Sequence, residues 1–285
     1  MISGRTALYG IFGHPVEHTF SPGMHNAAFE EIGLDACYVP FSVSPKDLRS
    51  GVRAIVPMGI KGVNITVPHK ERVIPLLDDI TDDARLIGAV NTIEVRKGKL
   101  VGHNTDGRGF LRSLRDDVGF SAKGKIVAIA GSGGAARAVG FSLALAGAKM
   151  VFFHDVNSRK ARDLAAHIIR NIGPRAEALD EKRFLQMASA AHCVINATPM
   201  GLRPQDSMPI PDAVLSEGQL VCDLVYNPSN TAFLNAARRR RASTLGGIGM
   251  LLYQGVIAFE IWTGEAAPVK IMRRALAKQV AARRK

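Results

Sequence analysis

The sequence predicts an α/β protein of two domains, the second of them built on a doubly wound parallel sheet. A strand–glycine turn–helix–strand unit begins at Lys125, and short apolar runs alternate with helical stretches through the first hundred residues. The length of 285 residues and the hydrophobic share of 47% suffice for two packed domains. The same composition excludes a disordered chain, a collagen and a disulfide scaffold.

The first domain is expected to span residues 1–105. Its apolar runs at Ala7–Phe12, Cys37–Phe41 and Gly62–Val67 predict strands, and Pro22 marks the start of a helix. These elements predict a separate α/β layer ahead of the parallel sheet.

The second domain is expected over residues 106–248. Lys125–Ala130 and Met150–His154 predict buried strands, with an Ala-rich helix between them that ends near Ala146. Further strands are expected near Cys193–Asn196 and Leu220–Leu224. This order of elements is typical of a Rossmann-type fold. Residues 249–285 predict C-terminal helices, which the pattern alone does not assign to either domain.

A dinucleotide-binding fingerprint follows the first strand of the second domain. In Gly131-x-Gly133-x-x-Ala136 the first glycine permits a tight turn, the second lets the backbone approach a pyrophosphate, and the small third residue lets helix and strand pack closely. The helix N-terminus then faces the phosphates. The alternative is a glycine turn that serves packing alone. The acid that ends the second strand, 24 residues after Gly131, favours dinucleotide binding.

That acid, Asp155, predicts NAD rather than NADP as the cofactor. A carboxylate at this position accepts hydrogen bonds from the adenosine ribose and repels a 2′-phosphate. Arg159, Lys160 and Arg162 follow in the next helix and could compensate a phosphate. We interpret these three cations as a solvated helix face.

The net charge of +12 is concentrated in two segments. Arg238–Arg241 supplies four positive charges, and the segment after Pro268 supplies seven more with no acid among them. Because the rest of the chain is nearly neutral, the basic excess does not predict a nucleic-acid partner. The arginine run is expected on a helix between Asn235 and Ala242.

Other features exclude further classes of protein. The three cysteines form no CxxC pair, which argues against a disulfide framework and a zinc site and fits a cytoplasmic protein. His14 and His18 have no third ligand, so no metal is expected. The N-terminus lacks the pattern of a signal peptide. The uncharged stretch Ala242–Phe259 contains four glycines, which favours a buried helix over a membrane span.

Polar clusters interrupt the apolar pattern of the N-terminal half. Thr19 and Ser21 place two hydroxyls before a helix, where they could grip a carboxylate together with the helix amides. The alternative, that Ser21 is the helix N-cap, leaves Thr19 unexplained. Further clusters occur at Asn64–Lys70, Asn91-Thr92 and Asn104–Gly107.

These motifs, taken in order, resemble the shikimate dehydrogenase family, including its quinate/shikimate relatives. The resemblance runs from about Gly10 to Gly264. The remaining motifs that carry it are the following: Gly13-His14-Pro15 through Ser21-Pro22 to His25-Asn26; Gly88–Thr92; the glycine loop; Asn196–Gly201; Asp223–Pro228; and Gly247-x-Gly249-Met250-Leu251-x-x-Gln254.

The resemblance implies a substrate domain, a Rossmann-type domain with substrate bound between them, and C-terminal helices that return to the substrate domain. Lys70 and Asp106 match the family's catalytic pair. The substrate contacts match the hydroxyl and amide residues Thr19, Ser21, Thr66, Asn91, Tyr226 and Gln254, with Asn64 in support. The nucleotide contacts match Gly131, Ser132, Gly133, Gly134, Ala135, Asp155, Thr198, Leu224, Val225 and Gly247.

The expected activity is hydride transfer between NAD and a ring hydroxyl of shikimate or quinate. Lys70 would move the hydroxyl proton, and Asp106 would be its partner. The expected partner is a small ring carboxylate, with neither nucleic acid nor membrane involved, and a homodimer is compatible with the sequence. Thr19, where many members have Ser, narrows the pocket by one methyl, which alone does not name the substrate. Two alternatives stay open: a paralogue that acts on another polyol or amino-polyol ring acid, and a non-catalytic module that binds NAD or nucleic acid.

Overall fold

The structure is a computed structural model that describes residues 2–203 and 205–282. The chain divides into two compact units. The first unit combines Met1–Thr105 with Leu252–Lys285, and the second is the continuous stretch Asp106–Leu251. Each unit is described separately below.

The first unit contains six strands and five helices, one of which it shares with the second unit. In chain order they are β1 (Ala7–Gly13), α1 (Ser21–Glu31), β2 (Ala36–Ser42), α2 (Leu48–Ala54), β3 (Ile60–Ile65), β4 (Asp79–Ile80), α3 (Asp82–Ile87), β5 (Thr92–Arg96), β6 (Lys99–His103) and, after the second unit, α9 (Ile248–Thr263) and α10 (Val269–Ala282). Helix α9 begins in the second unit and belongs to the first from Leu252 onward.

The sheet of the first unit has the order β2-β1-β3-β5-β6-β4 and is mixed. Strands β1, β2 and β3 are parallel, whereas β5 runs antiparallel to β3 and to β6. A buried apolar cluster supports the strands; it includes Phe12, Val52, Val63 and Ile93. At the C-terminus, α10 packs against α1, and the Gln279 side chain donates a hydrogen bond to the Phe20 carbonyl over 3.1 Å.

The second unit contains six strands and five helices before α9. They are α4 (Asp106–Val118), β7 (Ile126–Ala130), α5 (Gly134–Leu145), β8 (Met150–His154), α6 (Ser158–Ile172), β9 (Ala176–Ala178), α7 (Glu181–Ser189), β10 (Cys193–Asn196), β11 (Leu220–Asp223), α8 (Ala232–Arg239) and β12 (Ser243–Gly246).

All strands of the second sheet are parallel, in the order β12-β11-β10-β7-β8-β9. The strand order reverses between β7 and β10, so the ends of these two strands form the switch point of a doubly wound sheet. The strands are short and almost wholly apolar because helices cover both faces of a parallel sheet. The doubly wound fold expected from the sequence is confirmed.

Several predicted boundaries shift. The strand expected at Gly62–Val67 runs from Ile60 to Ile65, and α8 ends at Arg239 because Arg241 takes a positive φ of 60°. The interpretation of Ser21 as an N-cap is wrong: Phe20 is the N-cap, and Ser21 is the first helical residue.

Two sequence features find a simple place in the fold. Among the described residues, no helix is both long and apolar enough to cross a membrane. In the basic segment after Pro268, Lys270, Arg273, Arg274 and Lys278 lie on α10, and Arg283–Lys285 lie outside the described residues.

Candidate active site

In the first unit, polar residues gather where the parallel strands β1 and β3 end. Thr66 follows β3, and its backbone N–H donates to the carbonyl of Phe12 over 2.9 Å. A Cβ on Gly13 would overlap the Thr66 side chain, so glycine permits this close approach. Nearby in sequence, the Ser21 backbone N–H donates to the Thr19 hydroxyl over 3.2 Å. The Thr19 hydroxyl is therefore bonded to the backbone of Ser21, the first residue of α1.

A buried network of amides and hydroxyls forms the centre of this unit. We call it the amide cluster; it consists of Asn64, Asn91, Thr92, Thr105 and Gln254, each less than a tenth exposed. The cluster connects four parts of the first unit: strand β3, the start of β5, the residue before α4 and helix α9. Three of its five members were predicted as substrate residues, and the structure brings those three together.

Asn91 is the most highly connected member of the cluster. Its side-chain oxygen accepts the Thr105 backbone N–H over 2.7 Å, and its amide nitrogen donates to the Thr105 hydroxyl over 2.9 Å and to Oε1 of Gln254 over 3.4 Å. Its own backbone carbonyl accepts the N–H of Ile65 over 2.8 Å. Asn91 thereby holds the chain in place immediately before Asp106.

The amide of Asn64 is oriented by a residue that the sequence analysis missed. The Tyr38 hydroxyl donates to Oδ1 of Asn64 over 2.7 Å, while the Asn64 amide nitrogen donates to the hydroxyl of Thr92 over 3.0 Å. The Asn26 side chain bonds both the backbone N–H and the carbonyl of Tyr38. Burial raises the pKa of Tyr38 well above its usual value, against an opposing effect of Ser21. Tyr38 is therefore a neutral donor.

His25 lies next to this tyrosine and is fully buried. Its ring stacks on Tyr38 with a centroid separation of 4.5 Å and lies 5.5 Å from the ring of Trp262. Among the described residues, neither ring nitrogen has a hydrogen-bond partner. Burial lowers the pKa of His25 to about 3, so the imidazole is neutral at physiological pH.

The two predicted catalytic residues belong to different units. Lys70 follows β3 in the first unit, is partly buried, and its carbonyl accepts the N–H of Val90 over 2.8 Å. This bond ties the Lys70 segment to the residue before Asn91. Asp106 is buried and is the first residue of α4, with which the second unit begins.

In the second unit, the glycine loop lies at the switch point of the sheet. Gly131 follows β7 with a φ of 104°, a conformation that favours glycine. A Cβ there would lie 2.9 Å from the backbone of Ala197 and 3.2 Å from the Thr198 side chain. The loop therefore contacts the segment that follows β10, as the fingerprint requires.

The N-terminus of α5 offers backbone donors to an anion. Its N-cap is Gly133, which is exposed and supplies no side-chain cap. A Cβ on Gly133 would meet nothing within 4 Å, so the space beside the loop is open among the described residues. The N–H groups of Gly134 and Ala135 lie at the positive end of the helix dipole. This geometry fits the pyrophosphate of a dinucleotide.

Asp155 follows β8 and is bonded to the glycine loop. Its Oδ2 accepts the backbone N–H of Ser132 over 2.8 Å and the Ser132 hydroxyl over 2.7 Å. Its Oδ1 accepts the N–H of Asn157 over 2.8 Å. The carboxylate is thus engaged by protein donors on both oxygens.

The other predicted nucleotide residues follow the remaining strands at the same edge. Leu224 and Val225 follow β11, and Gly247 follows β12. Gly247 packs closely against the segment after β11, because a Cβ on it would overlap the Leu224 carbonyl. Tyr226, predicted to contact substrate, lies in this second unit. The segment is anchored by Asp223, which accepts hydrogen bonds from the side chains of Asn196 and Thr231 and from the Val225 N–H.

Within the described residues, no group of three or more His, Cys, Asp or Glu side chains is placed to hold a metal ion. The polar groups of the first unit suit a small hydroxylated ligand, and the backbone groups of the second suit a dinucleotide. Together they supply binding groups for both reactants of a hydride-transfer reaction.

Comparison with known protein families gives two matches. Residues 11–93 match the shikimate dehydrogenase substrate binding domain, and residues 247–277 match the shikimate 5′-dehydrogenase C-terminal domain. A curated relative from Desulforamulus reducens, named shikimate dehydrogenase (NADP(+)), is 47% identical over 98% of both chains.

Solved structures similar to this chain include a member of the same family as the curated relatives. A shikimate dehydrogenase crystallised with NADP+ is 39% identical, with a TM-score of 0.91 over 98% of both chains. A 5-ketofructose reductase from Gluconobacter sp. strain CHM43 is 38% identical, with a TM-score of 0.85 over 97% of this chain and all of the other.

The prediction of NAD in preference to NADP is wrong. Eight curated relatives at 40–47% identity all carry the name shikimate dehydrogenase (NADP(+)). The prediction rested on Asp155 as an acceptor for the adenosine ribose and as a charge that repels a 2′-phosphate. In the structure, three protein hydrogen bonds already engage Asp155, while Arg159 and Lys160 are exposed at the start of α6.

Proposed function

The chain belongs to the shikimate dehydrogenase family, and we propose that it interconverts shikimate and 3-dehydroshikimate with NADP(H). The observation that carries the proposal is the presence of a buried amide cluster beside Lys70 in one unit and a dinucleotide loop at the switch point of the other. We propose residues 1–105 as the substrate domain, 106–248 as the dinucleotide domain and 249–285 as C-terminal helices of the substrate domain.

The cofactor would be held by the carboxyl edge of the second sheet. The N–H groups at the start of α5 would bind the pyrophosphate, and Thr198, Leu224, Val225 and Gly247 would line the site. When bound, NADPH supplies the hydride. The two cations Arg159 and Lys160 at the start of α6 support recognition of the 2′-phosphate, since no acid lies in the first turn of that helix.

We assign to Thr19 and Ser21 the binding of the substrate carboxylate. The oxygen of the Thr19 hydroxyl accepts the Ser21 N–H, so the Thr19 proton can be donated to a carboxylate. We assign the remaining substrate contacts to five residues: Asn64, Thr66, Asn91, Gln254 and Tyr226. The amide cluster has fixed donor and acceptor directions, which suits the discrimination of ring hydroxyls.

We propose that Lys70 transfers the proton of the substrate hydroxyl that is oxidised. When the substrate hydroxyl becomes a carbonyl, its proton must leave, and an ammonium–amine group can take it or return it in the reverse direction. A carboxylate partner favours the charged form of a lysine, and we assign that role to Asp106.

The likeness to the 5-ketofructose reductase supports a second candidate, in which the substrate is a keto sugar without a carboxylate. The two candidates differ in their use of Thr19 and Ser21. A keto sugar has no anionic group for these hydroxyls, so a preference for shikimate over 5-ketofructose supports the first candidate.

Initial rates test the proposal. Shikimate, quinate and 5-ketofructose are assayed with NADP(H) and with NAD(H), the first two as oxidation and the last as reduction. We expect the highest kcat/KM for shikimate with NADP+. Absence of turnover with shikimate under both cofactors would contradict the proposed function, and a higher kcat/KM for 5-ketofructose would favour the second candidate.

Lys70→Ala tests the assigned mechanism. We expect kcat to fall by roughly 10²–10⁴ because the proton transfer is lost, while the Kd for NADP+ changes little. Lys61→Ala is the matched control, since Lys61 is exposed on β3 and should leave kcat unchanged. Retention of most of the turnover in Lys70→Ala would exclude this role.

A further inference from the structure

The Ser132–Asp155 pair links the middle of the glycine loop to the acid after β8. Ser132 is buried, and it gives Oδ2 of Asp155 two hydrogen bonds, from its backbone N–H at 2.8 Å and from its hydroxyl at 2.7 Å. A third bond reaches Oδ1 from the Asn157 N–H at 2.8 Å. Of these three donors, only the Ser132 hydroxyl depends on the identity of a side chain.

Ser132 and Asn157 together occupy most of the hydrogen-bond acceptor sites of the Asp155 carboxylate. An ionised carboxylate offers about four acceptor sites, and three are occupied here. Both sites of Oδ2 are taken by Ser132. A ribose that presents free 2′- and 3′-hydroxyls would find only one remaining site, on Oδ1. The usual gain from a ribose diol on this acid is therefore reduced before any cofactor binds.

The surroundings of Asp155 also offset its charge. Its neighbours Arg159, Lys160 and Arg162 are exposed, and Arg159 approaches Asp163 only to 3.9 Å. Donated hydrogen bonds disperse the negative charge of a carboxylate, and cations at the start of the following helix make the local potential less negative. Both effects reduce the repulsion that a 2′-phosphate would meet.

We propose that Ser132 is a positioning residue for cofactor selectivity: by holding the Asp155 carboxylate it disfavours NAD and admits the 2′-phosphate of NADP. The inference rests on the proposed function for the identity of the cofactor. It assigns Ser132 a role through Asp155 rather than through the pyrophosphate, since the Ser132 N–H already serves the carboxylate.

The test measures the Kd of NADP+ and of NAD+ by calorimetry, without substrate. In Ser132→Ala we expect the ratio Kd(NADP+)/Kd(NAD+) to rise about tenfold relative to wild type, because one acceptor site on Oδ2 is released to the ribose. Ser132→Thr keeps the hydroxyl and should keep the wild-type ratio. Asp155→Asn removes the charge and should lower the ratio.

A double variant separates this role from a structural one. In the Asp155→Asn background, Ser132→Ala should no longer raise the ratio, because there is no carboxylate left to release. The proposal is overturned if Ser132→Ala leaves the ratio unchanged, or if it weakens both cofactors equally in a protein of unchanged Tm. Because the readout is a change between variants in binding alone, it stands apart from shikimate turnover, whose absence would count against the proposed function only.

Discussion

The candidate binding groups of the two units belong to different parts of the chain. In the first unit the polar groups are neutral side chains, and their directions are fixed by one another, as between Asn91 and Thr105. In the second unit the candidate donors are backbone N–H groups of the glycine loop and of the start of α5. The carboxylates of Asp155 and Asp223 accept the N–H groups of Ser132 and Val225 in the adjoining segments. The first arrangement can read the pattern of hydroxyls on a ring, whereas the second recognises phosphate, which is common to many cofactors.

The strongest test of this contrast is Asn91→Ala. The substitution removes the side-chain oxygen that accepts the buried N–H of Thr105, and we expect a loss of about 3 kcal/mol in the free energy of unfolding. The KM for shikimate should rise, while the Kd for NADP+ stays the same. Urea denaturation and calorimetry measure the two effects.

The control is Asn171→Ala, which removes an exposed amide that bonds only to the carbonyl of His167 among the contacts described. Its cost should stay within about 0.5 kcal/mol. An equal cost for the two variants would show that the amide cluster adds nothing specific to the stability of the first unit.

The backbone side of the contrast is tested by two neighbouring glycines. Gly131→Ala should cost about 2 kcal/mol, because its φ of 104° is strained for alanine and its Cβ would meet the Ala197 backbone at 2.9 Å. Gly133→Ala should leave stability nearly unchanged, because its Cβ meets nothing within 4 Å.

The same two variants should differ in binding. The Cβ of Gly133→Ala fills open space beside the loop, so the Kd for NADP+ should rise roughly tenfold while the Tm stays constant. If Gly133→Ala bound NADP+ like wild type, the cofactor would not approach the backbone at this position.

The pH dependence of stability distinguishes the buried ionisable groups of the two units. Burial raises the pKa of Asp223, and the hydrogen bonds that its carboxylate accepts oppose that shift. The His25 ring has no hydrogen-bond partner among the described residues, and burial lowers its pKa to about 3. Below pH 6.5 the unfolded chain binds a proton at His25 that the folded chain does not bind. The stability of the folded state therefore decreases as the pH falls from 6.5 towards 3.

His25→Phe removes this dependence. Wild type should lose about 2 kcal/mol from this group between pH 7 and pH 5, and the variant should lose correspondingly less. The free energy of unfolding in urea at the two pH values measures the difference. His18→Phe, at an exposed position, should behave like wild type. A His25→Phe protein with an unchanged pH dependence would place the acid sensitivity at another group.

The parallel strands with apolar sequences could be predicted closely. Strands β1, β2, β7, β8, β10 and β11 all begin and end within one residue of the expected limits, because each coincides with a largely apolar run bounded by polar or turn residues. Strands β4, β5, β6, β9 and β12 were missed. Two of these, β4 and β9, are only two or three residues long, and the β5–β6 hairpin carries charged residues and turns at Lys97-Gly98, where both residues have positive φ.

The site was predictable only where it coincides with short motifs. Gly131, Asn91 and Lys70 stand in local patterns whose chemistry can be read directly. The bond from Tyr38 to Asn64 spans 26 residues, and the bond from Ser132 to Asp155 spans 23. Local periodicity carries no information on such pairs, since an aromatic residue in a strand is expected to lie in the core. Nothing in the sequence therefore indicated that Ser132 bonds to Asp155, and the prediction of NAD from that acid was wrong.

The order of the units along the chain has a consequence for synthesis. The second unit is one uninterrupted stretch, Asp106–Leu251, whereas the first needs α10 to cover α1 and Gln279 to reach the Phe20 carbonyl. On the ribosome, domains generally fold as their residues emerge, with the N-terminal one first. In this chain all residues of the second unit are synthesised before α10, the helix that packs on α1 in the first unit.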